Sequence, residues 1–77
     1  MSLGNESKRE NRYYYSNLGN RFTIMFYENE YYVLLKDVDG CLVTLTNGFS
    51  NLEQSKLFLV NWINNNMKVD FPNLTVA

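Results

Sequence analysis

The segment from Ser50 to Met67 constrains this chain most, because it has a helical period and cannot stand alone. Placed at about 100° per residue, Leu52, Phe58, Leu59, Val60, Trp62, Ile63 and Met67 share one broad apolar face. Glu53, Gln54, Asn61, Asn64 and Asn65 fall opposite, with Leu57 the one apolar exception. Ser50-Asn51-Leu52-Glu53 has the S-x-x-E spacing in which the serine hydroxyl and the carboxylate satisfy each other's orphan N–H groups, so Ser50 is the expected cap. Asn64-Asn65-Asn66 is the expected end, since asparagine is a poor helix-interior residue and a tolerable cap. A helix of this length is marginal in water unless its apolar face is buried. Only the residues before it offer a surface.

Those residues read as three strands. Arg21 to Tyr27 alternates, with Phe22, Ile24 and Phe26 on one side and Arg21, Thr23, Met25 and Tyr27 on the other. Tyr31 to Val38 is rich in β-branched and aromatic residues, and Cys41 to Thr46 follows the turn dipeptide Asp39-Gly40. The expected fold is therefore α+β: a three-stranded antiparallel β-meander followed by one C-terminal α-helix packed on the sheet. Residues 1–12 are polar, charged and without periodicity, which predicts a mobile N-terminal arm before a single domain at 13–77. Pro72 makes the tail extended rather than helical.

Loop lengths set the register. A two-residue loop at Asp39-Gly40 pairs Val38 with Cys41, Lys36 with Val43 and Leu34 with Leu45. A three-residue loop at Glu28 to Glu30 pairs Phe26 with Tyr32 and Ile24 with Leu34. Phe22, Ile24, Phe26, Tyr32, Leu34, Val38, Cys41, Val43 and Leu45 then form the floor beneath the helix. On the other face, Met25, Tyr27, Tyr31, Val33, Leu35 and Leu42 are relieved only by Arg21, Thr23, Asp37, Thr44 and Thr46. A sheet with one wet side should alternate apolar with polar, and the second strand does not. A large apolar patch of this kind marks an interaction site. The expected partner is a second copy, giving a homodimer, or another protein. The expected interface comprises Met25, Tyr27, Tyr31, Val33 and Leu35, helped by the run Tyr13, Tyr14 and Tyr15.

Composition excludes several function classes. The chain has 77 residues and a formal net charge of −1, whereas polyanion binding needs clustered Lys and Arg. Nucleic acid is accordingly the lesser alternative, carried by Lys8, Arg9, Arg12 and Arg21 with the tyrosines. Glu6 and Glu10 interrupt the first three of these. The single cysteine, Cys41, forbids an internal disulfide and points to a reducing, cytoplasmic setting. No apolar run approaches membrane-spanning length, so no membrane partner is expected.

Motifs for chemistry are equally sparse. Gly48-Phe49-Ser50 opens like a nucleophile elbow, but Leu52 stands in the final glycine position and the chain has no histidine to act as base. Asp37-Val38-Asp39-Gly40 has part of a calcium-loop pattern, but Leu35 and Thr46 occupy the terminal ligand positions. The expectation is a non-enzyme with no cofactor, no metal and no small-molecule substrate, and with Cys41 serving as a small hydrophobe of the core.

In layout, three strands, Asp39-Gly40 in a hairpin and Gly48-Phe49-Ser50 before a helix resemble the arm-type DNA-binding domains of phage integrases, over Arg21 to Asn66. The resemblance implies a bacterial or phage source and a sheet that reads DNA. The basic residues of those sheets have no counterparts here, so it carries no binding residue onto this chain.

Overall fold

The computed structural model describes residues 1–76. Its strands are β1 (Glu6–Arg9), β2 (Arg12–Tyr15), β3 (Phe22–Tyr27), β4 (Glu30–Lys36) and β5 (Leu42–Thr44), and one helix follows, α1 (Leu52–Asn66). All five strands form a single antiparallel sheet in chain order. The expected three-stranded meander is thereby corrected: two further strands come from the segment read as an arm and from the tyrosine run. All four residues of β1 are exposed. Three of them, Glu6, Lys8 and Arg9, are charged, as suits an edge strand that must not pair with other chains. Such a strand has the composition of solvated coil, and only its partner reveals it.

Both hairpin loops differ from expectation by one residue, in opposite directions. Tyr27 pairs with Glu30, so Glu28 and Asn29 form a two-residue loop, both with positive φ (50° and 67°). Those are the dihedral signs of a type I′ turn, adopted here without glycine. At the next turn Asp37 N–H donates to the Cys41 carbonyl, leaving a three-residue loop, Val38 to Gly40, with Gly40 at φ 86°. The Asp37 carboxylate accepts from the Asp39 and Cys41 amides at 2.9 Å each and fixes that loop. The two shifts cancel between β3 and β5 and leave β4 inverted. Ile24 therefore faces Val33, Phe22 faces Leu35 and Phe26 faces Tyr31.

The helix-side face consequently carries Phe22, Ile24, Tyr31, Val33 and Leu35. Beneath α1, Phe22, Ile24 and Val33 are fully buried against Leu59, Val60 and Ile63. The Phe22 ring meets Trp62 and Phe71 edge-on, each at 5.9 Å. Cys41 lies outside this core and is exposed, contrary to the expected role. The helix cap is also displaced by one residue. Asn51, not Ser50, accepts from the Gln54 amide at 2.8 Å, because Asn51-Leu52-Glu53-Gln54 offers the same cap-to-N3 spacing one step later.

The two chain ends complete the core. Ser2 pairs in parallel with Thr75, which carries Leu3 and Leu74 into full burial beside Leu18 and the helix. Asn64 holds the tail by its amide, which donates to the Leu74 carbonyl and accepts from the Leu74 N–H, both at 2.8 Å. That pair imitates one rung of a β-ladder. The opening residues are therefore structural. Leu3→Ala should lower unfolding free energy by about 2–4 kcal/mol, the usual cost of a buried leucine truncation. Urea denaturation of the variant checks it; a change below about 0.5 kcal/mol would place Leu3 outside the core.

Candidate functional site

With β4 inverted, the sheet face away from α1 carries Arg9, Arg12, Tyr14, Thr23, Met25, Tyr27, Tyr32, Leu34, Lys36 and Leu42. This is an amphipathic face, not the apolar one expected. Leu34 and Thr23 are buried on it although no second layer of described residues lies there; the longer side chains around them form the cover. The Thr23 hydroxyl is satisfied by the Tyr13 carbonyl at 2.9 Å.

A cavity of about 310 Å³ opens on this face, lined by Arg9, Arg12, Tyr14, Thr23, Lys36 and Leu42 together with Asn20 and Gly40. In a flat sheet, β1 and β5 would lie roughly 19 Å apart, four strand spacings of about 4.8 Å. Arg9 of β1 and Leu42 of β5 nevertheless line the same cavity, so the open face is concave at this point. The cations are distributed along β1, β2 and β4. None of Arg9, Arg12 and Lys36 forms an ion pair among the described residues. The Arg9 guanidinium lies 5.8 Å from the centre of the Tyr14 ring. Carboxylates sit at one end of the face: Glu30 accepts from the Tyr32 hydroxyl at 2.8 Å, and that hydrogen bond raises the Tyr32 phenol above its ordinary value. Among the described residues no group of three or more His, Cys, Asp or Glu is placed to hold a metal ion.

No family model, curated protein or solved structure matches this chain.

The expected interface residues divide between the two faces. Tyr15 and Val33 are buried in the core, while Tyr13, Tyr31 and Leu35 pack against it on the helix side. Tyr14, Met25 and Tyr27 lie on the open face, and Tyr27 is 54% exposed. The four cations divide likewise. Arg9 and Arg12 line the cavity. Lys8 is on the helix side, 5.5 Å from the Tyr13 ring centre. Arg21 anchors the tail, 3.4 Å from the Asp70 carboxylate and 5.2 Å from the Phe71 ring centre. Thr23 and Lys36 also line the cavity: Thr23 lies on the face expected for it, whereas the shorter loop at Glu28 puts Lys36 on the open face and not on the helix side.

Behind the cavity, β1 is fastened to the helix by three side chains. The Tyr15 hydroxyl donates to Glu6 at 3.0 Å. Lys56 places its Nζ 3.6 Å from Glu6 and 5.7 Å from the Tyr15 ring centre. Burial, and then the bond to Glu6, push the Tyr15 phenol well above its usual range. An unfolded tyrosine titrates near 10. The protein should therefore hold its stability below about pH 10 and lose it above, where the unfolded chain releases the Tyr15 proton and the folded chain retains it. Tyr15→Phe should flatten that alkaline decline in urea unfolding measured between pH 8 and 11. An unchanged slope would mean that the phenol titrates normally in the fold.

Proposed function

We propose that the protein is a non-catalytic binding module whose concave sheet face takes single-stranded nucleic acid. One observation carries this reading: Arg9, Arg12 and Lys36 converge on one cavity beside Tyr14, and among the described residues no carboxylate pairs with them. Uncompensated cations in a concavity concentrate a local positive potential even when a chain's net charge is near zero. Phosphates would occupy that potential. Unpaired bases would rest on the aromatic surfaces of the same face, Tyr14, Tyr27 and Tyr32, each stacked base adding about 1–3 kcal/mol. A duplex fits less well, since the face curves inward and presents no helix or protruding ribbon to a groove.

Fluorescence anisotropy with a labelled single-stranded oligonucleotide tests the reading. Three neutralised phosphates predict a slope of about −2 in log affinity against log salt, at roughly −0.7 per phosphate for single strands. Arg12→Ala should weaken binding several-fold at low salt and make the slope shallower by about 0.7. Lys8→Ala, on the opposite face, should change neither. Absence of binding at low salt, or equal losses from Arg12→Ala and Lys8→Ala, would overturn the assignment.

A further inference from the structure

The sheet has two free edges with opposite character. The outer edge of β1 carries Glu6, Lys8 and Arg9, charges that discourage strand addition. The β5 edge is Leu42-Val43-Thr44, all exposed and without a charge; Leu42 and Val43 are 43% and 44% accessible. Its hydrogen-bonding groups have a fixed direction. The Leu45 amide donates to Val33 and the Asp37 amide to Cys41. By the alternation of antiparallel pairs, Leu35 and Val43 form the hydrogen-bonded pair between them. Leu42 and Thr44 therefore turn their N–H and C=O groups outward, away from β4. No backbone hydrogen bond from another segment meets those groups among the described residues.

We infer that β5 is a self-association edge, on which a second copy of this chain docks antiparallel through its own β5. This inference does not rest on nucleic-acid binding. The occupant follows from self-complementarity. In a two-fold arrangement centred on Val43, Leu42 of each copy lies opposite Thr44 of the other, so outward donors meet outward acceptors in two hydrogen-bonded pairs. Val43 meets its own counterpart on the axis as a close, non-hydrogen-bonded pair, with Cα atoms about 4.5 Å apart. No like charges face each other within the strand. Docking β5 on the β1 edge would instead set apolar side chains against Lys8 and Arg9, and that head-to-tail contact would not close. The β5 pairing closes as a dimer with a ten-stranded sheet and two concave faces.

The experiment is disulfide trapping in a Cys41→Ser background. Val43→Cys puts two thiols within disulfide reach across the proposed axis, and an added mild oxidant takes up the two electrons as both protons leave. Ser7→Cys, on the β1 edge in the same background, reports random collision. The expected result is a covalent dimer that forms at least tenfold faster from Val43→Cys than from Ser7→Cys. Light scattering of the untreated wild-type chain should show a mass rising with concentration from 9.1 kDa toward twice that value. Equal trapping rates would overturn the inference, as would faster trapping at Ser7→Cys or a wild-type mass constant at the monomer value up to the solubility limit. Because both variants lie at exposed positions, circular dichroism should match the parent, and trapping is compared between folded proteins.

Discussion

Side chains of a strand alternate between faces with period two, so in a meander covered by one helix the loop lengths decide which residues the helix buries. Here that decision is made at Glu28-Asn29 and at Val38 to Gly40. The first loop closes in two residues because both accept positive φ, although a glutamate in that region costs on the order of 1 kcal/mol. The second closes in three because Asp37 gathers two amides and Gly40 supplies the left-handed step. The first sets Val33 and Leu35 against Ile24 and Phe22 beneath α1, and the second sets Val43 opposite Leu35. Everything on the open face, the cationic cavity included, follows from the same parity.

A single helix on a five-stranded sheet leaves area uncovered, and the chain ends supply what α1 lacks. Leu3 enters from one end and Leu74 from the other, joined by the Ser2–Thr75 bridge and held to the helix by Asn64. Arg21 extends this closure by lying against Phe71 and pairing with Asp70. That ion pair is exposed and contributes little by itself. Its guanidinium stem and the ring beside it cover the end of the Phe22 cluster, so packing is the larger part of its role.

The tail expected to be extended at Val69 to Pro72 turns instead, the Phe71 amide donating to the Met67 carbonyl at 3.0 Å. Several features were legible from residue pattern alone: the helix, β3 and the apolar floor contributed by Phe22 and Ile24. These rest on periodicity, which a single chain displays without reference to its partners. The features that were not legible depend on pairing. An edge strand rich in charge looks like coil, which hid β1. Ser50 and Asn51 both satisfy the capping pattern, and only backbone geometry chooses between them. The loop at Glu28 contains no glycine, so nothing local announced a turn with two positive φ angles. That one residue moved Lys36 off the open face and divided the expected interface of Tyr31, Val33 and Leu35 from Met25 and Tyr27. The tyrosine run was divided in the same way: Tyr13 and Tyr15 became core-facing, and Tyr14 alone joined the cavity.

The contrast between an acidic chain and a basic cavity is a matter of distance. At physiological ionic strength the field of an exposed charge decays over about 8 Å. Glu10, Glu28 and Glu30 gather at the ends of the β1–β2 and β3–β4 hairpins, and Asp37 is engaged by the amides of its own turn. Arg9, Arg12 and Lys36 line the cavity, and none of those carboxylates does. A ligand still in bulk solvent meets a molecule with a net charge of −1. Such an arrangement attracts at contact and offers little long-range steering, so any association with a polyanion would gain stability from the cavity and no acceleration from the protein's overall field. A five-stranded sheet that gathers three cations at one cavity can thus hold a local potential that the composition of the chain conceals.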